Sequence, residues 1–272
     1  MELEIYQVDS FTQQVFKGNP AGVCITQEQL SRPLMLAIAG EMAVSETAFL
    51  SLSDMNLKWF TPEAEVNLCG HGTLAVAHVL REKGQVKAGD KVSFSTLSGT
   101  LTALINESTI ELDFPSPSIE FSVPSPAALL EHLTLTQEEI ISFGHFDEKV
   151  LIELASEQTL LNLQPNFDGL KQLPGRGVLI TALSSDPHLD FVSRYFAPWV
   201  GVNEDPVTGS AHCALTVYWS EKLAKTQLKG FQASQRGGYV DTELLPNGRT
   251  KLIGSAVTVI KGKMQVAEES GA

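Results

Sequence analysis

The order of apolar and polar residues along the chain predicts many short strands arranged around two unusual helices. Short apolar runs bounded by polar turns are typical of strands. In the first half these runs are "ELEIYQV", "AGVCI", "TAFLSL", "KVSFS" and "TIELDF", and in the second half they are "KVLIEL", "GVLITAL", "GFQAS" and "SAVTVI". Further helices are predicted through "PLMLAIAGEMA" and around "TQEEIISF".

The two unusual helices have no polar face. The segments "GTLAVAHVL" (Gly72 to Leu80) and "SAHCALTVYW" (Ser210 to Trp219) carry apolar residues on nearly every side of a helix. A helix that lies on a surface shows one apolar stripe, whereas a helix that is apolar all round is buried. We therefore expect strands to enclose both segments.

The sequence around these helices is repeated. The stretch "WFTPEAEVNLCGHGTLAVAH" from Trp59 aligns with "YFAPWVGVNEDPVTGSAHCAL" from Tyr195, which matches Phe60 with Phe196. The predicted fold class is α+β, with two pseudo-symmetric halves that each wrap a β-barrel-like sheet around a central apolar helix. We predict halves at residues 1–117 and 118–272, joined by the proline-rich stretch 113–128, with the C-terminal strand free to pack back on the first half.

Composition narrows the possible partners. The chain has 272 residues, 43% of them hydrophobic, and a formal net charge of −13, so a nucleic-acid backbone or an anionic membrane surface would repel it. No run approaches the roughly 18 apolar residues of a membrane span. The acidic start "MELEIYQVDS" does not resemble a signal peptide, and three scattered cysteines suit a reducing compartment. We expect a cytoplasmic protein without disulfides.

Both apolar helices begin directly after glycine-containing turns, "CGHGT" and "DPVTGS". The start of a helix carries several unpaired N–H donors and about half a positive charge, so it can bind a carboxylate or a phosphate. The alternative is an ordinary helix start that Thr73, Thr208 or Ser210 caps. Because the feature occurs twice, we favour a shared site for a small anion.

Several of these motifs together resemble one family. "VDSFTQQVFKGNPAGV", "SETAFL", "CGHGTLAVAHVL" and "EDPVTGSAHCAL" are similar to the corresponding motifs of PhzF-like isomerases, which are relatives of diaminopimelate epimerase. The resemblance spans nearly the whole chain. It implies two barrel-like halves, a cofactor-free active site in the cleft between them, and a homodimer as the common assembly.

The resemblance also implies site residues. By motif, the acid/base of the family falls on Glu46, its histidine on His71 and its aspartate on Asp205. The expected substrate-binding residues are Gly70, Gly72, Thr73, Gly209 and Ser210. Gly72 stands where the family often has alanine, and from the sequence we expect this difference to change little.

The chemistry of an isomerase calls for such residues. One side chain that removes a proton from carbon and returns it elsewhere can move a hydrogen on a small carboxylate-bearing metabolite. A solvated glutamate has a pKa of about 4.3, so we expect burial or a nearby Asp205 to raise the pKa of Glu46. Taken singly, Glu46 could instead be a surface carboxylate, His71 a turn residue and Asp205 a helix cap.

Two alternatives to this mechanism remain open from the sequence. In the more distant epimerases that the chain resembles, a cysteine at each helix start forms a thiol pair; Cys69 occupies the first position, but Pro206 is aligned with the second. We therefore favour Glu46 over a thiol-assisted amino-acid epimerase or racemase. A non-catalytic protein that binds small carboxylates is the other alternative. A metal site formed by Cys69, His71 and His78 has unsuitable spacing, and we expect neither a metal nor a cofactor.

Overall fold

The computed structural model describes residues 1–121 and 124–266. The first part of the chain forms β1 (Glu2–Ser10), β2 (Asn19–Thr26), α1 (Arg32–Met42), β3 (Glu46–Ser51), β4 (Asn56–Phe60), β5 (Glu65–Val66), α2 (Gly70–Glu82), β6 (Lys91–Thr96), β7 (Gly99–Ile105) and β8 (Ile110–Pro115). The second part forms α3 (Ala127–Leu133), β9 (Ile140–Phe146), β10 (Lys149–Leu154), α4 (Glu157–Asn162), α5 (Phe167–Lys171), β11 (Gly177–Leu183), β12 (Phe191–Ala197), β13 (Val202–Glu204), α6 (Gly209–Leu223), β14 (Gln227–Gln232), β15 (Gly238–Leu244), β16 (Arg249–Gly254) and β17 (Ala256–Gln265).

The chain divides into two compact units. Unit 1 contains Met1–Asp113 together with the described residues from Ile253 onward, and unit 2 is Phe114–Leu252. The break lies within β8, slightly before the predicted boundary at residue 117, and β17 belongs to unit 1. Within the predicted proline-rich connection, residues 122–123 lie outside the described residues, as do residues 267–272 of the predicted second half.

Strand pairing follows the same order in both units. In unit 1, β1 pairs antiparallel with β2, β2 parallel with β3, β3 antiparallel with β4, β4 parallel with β6, and β6 antiparallel with β7. In unit 2, β9 to β12, then β14 and β15, repeat this order of antiparallel and parallel pairs. The register also agrees, because Thr47 faces Phe60 in unit 1 and Val178 faces Phe196 in unit 2. The α+β fold class and its internal repeat are therefore confirmed.

Each unit encloses one apolar helix, as predicted. Helix α2 contacts β1, β2, β3, β7 and β17, and nine of its thirteen residues are buried. In unit 2, residues of α6 such as Leu215 and Trp219 share a core with Leu151, Leu179 and Phe191 from the surrounding strands. Between His71 at its start and Arg81 in its last turn, α2 has no Asp, Glu, Lys or Arg. The Arg81 guanidinium donates to the Asn106 carbonyl oxygen. None of the helices in the described part of the chain combines the length and apolar character that crossing a membrane requires.

The helix predicted around "TQEEIISF" is wrong. Gln137–Glu139 form a single 3-10 turn, and Ile140–Phe146 form strand β9. The Glu139 carboxylate accepts from the Thr136 backbone N–H at 2.8 Å, so this turn is closed locally. The residues that follow are mostly β-branched or aromatic and pair with β10, which favours a strand over a helix.

Substitutions at two glycines can test how closely unit 1 is packed. At Gly40, on the exposed side of α1, an added methyl group would meet nothing within 4 Å. At Gly22 in β2, it would lie 2.5 Å from the buried Thr47 hydroxyl. We expect Gly40→Ala to raise the free energy of unfolding by about 0.5–1 kcal/mol and Gly22→Ala to lower it by about 1–3 kcal/mol, as measured by denaturant unfolding. Equal effects at the two positions would contradict this packing.

Candidate active site

A glutamate and a histidine meet at the start of the buried helix in unit 1. Glu46 is the first residue of β3, and His71 is the second residue of α2. The Oε2 atom of Glu46 lies 3.3 Å from Nε2 of His71. The His71 side chain is 8% exposed and that of Glu46 22% exposed, so a molecule from solvent reaches the carboxylate more easily than the ring. Two of the predicted catalytic residues are thus in contact.

Cys69 adds a thiol to this pair. It is the N-cap of α2, and its sulfur accepts the Gly72 backbone N–H at 3.3 Å. The same sulfur lies 3.5 Å from Nδ1 of His71 and 3.9 Å from Nε2. One donor atom each from Glu46, Cys69 and His71 lie within 4.8 Å of one another. Cysteine thus takes the capping role that we had considered for Thr73.

The imidazole of His71 is held by residues that the sequence analysis did not single out. Asn19 Nδ2 lies 3.4 Å from Nδ1 of His71, and the Ser45 hydroxyl lies 3.5 Å from Nε2. The Ser10 hydroxyl donates to the His71 carbonyl oxygen at 2.8 Å. Ser10 and Asn19 face each other across β1 and β2. The sequence signal was present, because both residues lie in the stretch "VDSFTQQVFKGNPAGV" that carries the family resemblance.

The pKa of Glu46 is shifted in the direction opposite to our expectation. Burial alone would raise it, but the hydrogen bond and positive charge of His71 and a hydrogen bond from Ser45 outweigh burial and lower the pKa of Glu46. Burial likewise disfavours a charge on His71, yet Cys69 and Glu46 beside the ring raise the pKa of His71 well above its ordinary value. The resting pair is therefore a carboxylate and an imidazolium.

The thiol of Cys69 remains protonated beside this ion pair. Burial raises the pKa of Cys69, the Glu46 charge raises it further, and His71 opposes both only in part. A neutral thiol is a poor base, because the thiolate is the reactive form.

The first turn of α2 leaves fewer anion donors than predicted. The Gly72 N–H is bonded to the Cys69 sulfur, and the Thr73 N–H and hydroxyl are bonded to the Cys69 carbonyl oxygen at 3.1 and 2.7 Å. Within the described residues, the backbone N–H groups of Gly70 and His71 have no intrachain acceptor. Substrate binding by Gly70 stays a prediction, whereas binding by Gly72 or Thr73 through their N–H groups would require their bonds to Cys69 to break.

In unit 2, a second polar group surrounds the start of α6. Thr208 is the N-cap of α6, and its hydroxyl donates to Oδ2 of Asp205. Gln232 accepts the Thr208 N–H at 2.8 Å and donates to the Asp205 carbonyl oxygen at 2.7 Å. Asp205 is therefore fixed next to the helix start, and Gln232 is a supporting residue that the sequence analysis missed.

Ser210 of α6 has a partly buried lysine as its neighbour. Lys149 Nζ lies 3.4 Å from the exposed Ser210 hydroxyl, and burial lowers the pKa of Lys149. Gly209, by contrast, is buried. Cys213 is a core residue, and burial raises the pKa of its thiol to about 12.

The histidines inside the two helices have local partners. His78 Nε2 lies 3.1 Å from the Thr258 hydroxyl, and His212 Nδ1 lies 2.9 Å from the Thr208 carbonyl oxygen. Burial lowers the pKa of each to about 4, so both rings are neutral at physiological pH.

The structure identifies a different counterpart of Cys69 in unit 2 from the one in the sequence alignment. Helices α2 and α6 both begin with glycine, at Gly70 and Gly209, so their N-caps Cys69 and Thr208 correspond. Pro206, which the sequence alignment had matched with Cys69, lies two residues earlier. The counterpart is still not a cysteine, so the repeat provides only one thiol at these helix starts.

Comparison with known proteins places the chain in one family of enzymes. Residues 8–262 match the phenazine biosynthesis-like (PhzC–PhzF) protein family. An uncharacterized isomerase of Halalkalibacterium halodurans is 46% identical, over 97% of this chain and 99% of its own length. A human phenazine biosynthesis-like domain-containing protein is 40% identical, over 97% and 99%.

A solved structure supports the same family assignment. A PhzF-family phenazine biosynthesis protein from Enterococcus faecalis has a TM-score of 0.90 and 37% identity, and the match covers 98% of this chain and 100% of that one. The chain belongs to the phenazine biosynthesis-like family, and it is a PhzF-like isomerase.

The packing around Gly72 contradicts our expectation that alanine would change little there. An added methyl group would lie 2.8 Å from Cδ1 of the buried Trp59 and 2.9 Å from the Cys69 sulfur. We expect Gly72→Ala to lower the free energy of unfolding by about 1–3 kcal/mol, because neither neighbour lies at the end of a flexible chain. Denaturant unfolding, with Gly40→Ala as the matched substitution, measures the effect. Unchanged stability would show that the start of α2 has room to adjust.

Proposed function

We propose that the protein moves a proton on a small carboxylate-bearing substrate, with Glu46 as the proton carrier and without a cofactor. The observation that carries this proposal is the contact between Glu46 and His71. The carboxylate is partly exposed, while the buried imidazolium lies 3.3 Å behind it. A carboxylate in this setting can accept a proton from a substrate and still be held in place.

The proton steps balance with Glu46 alone. The Glu46 carboxylate removes a proton from a substrate carbon, which leaves a carbanion stabilised by conjugation with an adjacent acceptor group. The resulting carboxylic acid then returns the same proton to another carbon or to the other face. His71 stabilises the carboxylate before and after the transfer, and burial offsets part of that stabilisation while Glu46 carries the proton.

Hydrogen-bond donors and positively charged groups in the site could bind a carboxylate group of the substrate. The N–H groups of Gly70 and His71 and the imidazolium are donors in unit 1. In unit 2, the Ser210 hydroxyl and the Lys149 ammonium provide a second set of donors. That Asp205, Gly209 and Ser210 act on the same substrate as Glu46 stays a prediction, as do the homodimer and the cytoplasmic location.

A thiol-assisted epimerase is the second candidate, favoured by one observation. The Cys69 sulfur lies 3.5 Å from His71 Nδ1, which is close enough for proton exchange between them. Two observations oppose it: burial raises the pKa of the thiol, and the matching helix start in unit 2 has Thr208. We therefore rank it below the Glu46 mechanism.

Replacing Glu46 separates the two candidates. Glu46→Gln keeps the shape but removes the proton carrier, so solvent-deuterium incorporation into a processed substrate should fall by about 10²- to 10⁴-fold. Cys69→Ser keeps a cap acceptor and should retain most of the exchange. Mass spectrometry of substrate incubated in D₂O measures both rates, and Glu63→Gln, at an exposed position, is the matched control.

The opposite effect of the two substitutions on solvent exchange would support the thiol-assisted mechanism. If Cys69→Ser stops the exchange while Glu46→Gln leaves it intact, Cys69 is the proton carrier. Loss of exchange in the Glu63→Gln control would point to a general effect of carboxylate removal and would count against the assignment to Glu46.

A double-mutant cycle tests whether Asp205 serves the same reaction. If Glu46 and Asp205 act on one substrate, the combined loss of kcat/KM in Glu46→Gln/Asp205→Asn should be smaller than the product of the single losses, because residues that act as a unit are not additive. Asp168→Asn, at an exposed position in unit 2, is the matched control. If the two substitutions instead reduce kcat/KM independently, so that their losses multiply, Asp205 does not serve the same reaction as Glu46.

A further inference from the structure

Ser45 contacts both members of the pair that Glu46 and His71 form. Its hydroxyl oxygen lies 3.5 Å from Nε2 of His71, and its O–H donates to the Glu46 carboxylate. The Oε2 atom of Glu46 lies 3.3 Å from the same ring nitrogen. One hydroxyl therefore touches both the side chain that we propose as proton carrier and the side chain that stabilises its charge.

The short connection between α1 and β3 places Ser45 at this position. Helix α1 ends at its C-cap Ala43, which has a left-handed backbone (φ 51°) and whose N–H bonds to the Ala39 carbonyl oxygen. Strand β3 begins three residues later at Glu46, which pairs with Ala21 of β2. Consecutive side chains within a strand point to opposite faces. Because Ser45 precedes the strand, its side chain can approach the same ring nitrogen as Glu46.

We propose that Ser45 is a positioning residue for the isomerase reaction: its hydroxyl orients the Glu46 carboxylate before the proton transfer and accepts the Nε2–H of His71 once Glu46 carries the proton. This inference rests on the proposed role of Glu46 as proton carrier. Glu46 takes a proton from a substrate carbon, and the electron pair of that C–H bond stays on the substrate. Ser45 keeps its own proton throughout.

A hydroxyl can fill both roles because it has one donor hydrogen and two acceptor lone pairs. While Glu46 is a carboxylate, it accepts strongly from both Ser45 and the imidazolium. Once Glu46 is a neutral acid, it accepts more weakly, and the buried Nε2–H of His71 needs a further acceptor. The serine oxygen, 3.5 Å away on a half-buried side chain, is in place to be that acceptor.

The other neighbour of Nε2 is less suited to this role. The Cys69 sulfur lies 3.9 Å from Nε2 but 3.5 Å from Nδ1, so it lies nearer to the other nitrogen of the ring. It also accepts the Gly72 backbone N–H at 3.3 Å. Sulfur is a weak acceptor compared with a hydroxyl oxygen. Ser45 is therefore better placed than Cys69 to hold the ring while Glu46 is neutral.

The contact also affects where Glu46 titrates. The titratable side chains that face Glu46 from α2 are His71 and Cys69. The neighbouring elements β2, α1 and β4 pack beside β3 with buried apolar side chains, among them Ala21, Ile38 and Phe60. Burial raises the pKa of Glu46, and the contacts with His71 and Ser45 together lower it. Loss of the Ser45 hydroxyl should therefore raise the pKa of Glu46.

The first half of this role can be tested without a substrate. The titration of the Glu46 carboxyl, read by ¹³C NMR and assigned by its absence in Glu46→Gln, should move to higher pH in Ser45→Ala and return towards the wild type in Ser45→Thr. Ser53→Ala should leave it unchanged. Ser53 is a matched control because its exposed hydroxyl donates to Glu28 Oε2 at 3.0 Å in the same unit. An unmoved Glu46 titration in Ser45→Ala would overturn the proposal.

The second half can be tested with Glu46→Gln, which imitates the neutral state of Glu46. In that background, Ser45→Ala should lower the pKa of His71, followed by ¹⁵N NMR of the ring, because the imidazolium loses its remaining oxygen acceptor. Ser45→Thr should not lower it. Equal His71 titrations in all three proteins would show that Ser45 does not accept from the ring.

A second variant keeps both tests interpretable. Circular dichroism and denaturant unfolding show whether Ser45→Ala is folded. Ser45→Cys keeps the approximate size of the side chain and replaces the hydroxyl by a weak donor and acceptor. It should shift both titrations in the same direction as Ser45→Ala, and wild-type titrations in a folded Ser45→Cys protein would contradict the role of the hydroxyl.

Exchange kinetics separate this inference from the proposed function. With a carboxylate compound whose deuterium exchange the wild type catalyses, Ser45→Ala should lower kcat by about 10-fold with little change in KM. The acidic limb of the kcat/KM profile should move to higher pH, because the base must be unprotonated. A loss of the same size at every pH, with the limb unmoved, would show that Ser45 only supports packing.

Two outcomes distinguish the failure of one proposal from the failure of the other. If Glu46→Gln stops exchange but Ser45→Ala changes neither the Glu46 titration nor the acidic limb, Glu46 keeps its role and the inference about Ser45 is wrong. If Ser45→Ala moves the Glu46 titration but exchange continues in Glu46→Gln, the proposed function is wrong, and the positioning role that rests on it is wrong as well.

Discussion

A helix without a polar face cannot lie on a surface, and this constraint shapes both units. Helix α2 exposes almost none of its side chains, so strands have to surround it. Its first turn still carries N–H groups that need acceptors, and the helix cannot satisfy them itself. The start of the helix is therefore where polar side chains are required inside an apolar unit. Glu46, Cys69 and His71 meet at that place.

Burial at the start of α2 also affects the charge states of Glu46 and His71. A carboxylate and an imidazole that both lose water would each prefer to be neutral, yet their mutual contact favours the charged pair. We expected from the sequence that burial or a nearby Asp205 would raise the pKa of Glu46. The contact with His71 reverses that shift, and contact energies of this kind depend on distances that no sequence pattern contains.

Much of the fold could be predicted from the sequence, because it follows from local patterns. The apolar character of residues 72–80 and 210–219 on nearly every helix face indicated two enclosed helices, and the alignment of Phe60 with Phe196 agrees with the observed strand register. Strand β9 was missed because its apolar residues do not distinguish a short strand from a helix. The family resemblance singled out Glu46 and His71, whereas the contacts of Asn19 and Ser10 depend on how β1 and β2 pair beside α2.

The repeat itself shows how the two units have diverged. In unit 1, β3 begins at Glu46, which pairs with Ala21, and in unit 2 the corresponding β11 begins at Gly177, which pairs with Lys149. A side chain at Gly177 would collide with the Tyr195 hydroxyl, 2.1 Å from the position of its first carbon. Unit 2 therefore has no room for a counterpart of Glu46.

The first turns of α2 and α6 also differ between the two units. Where unit 1 has His71 as the second residue of its helix, unit 2 has Ser210, with the Lys149 ammonium as neighbour. One copy has kept an acid and a partner that holds its charge, and the other has a hydroxyl and a cation. In the mechanism that we propose, a proton carrier needs the first set and a carboxylate ligand needs the second, so the divergence of the two copies agrees with different tasks for them.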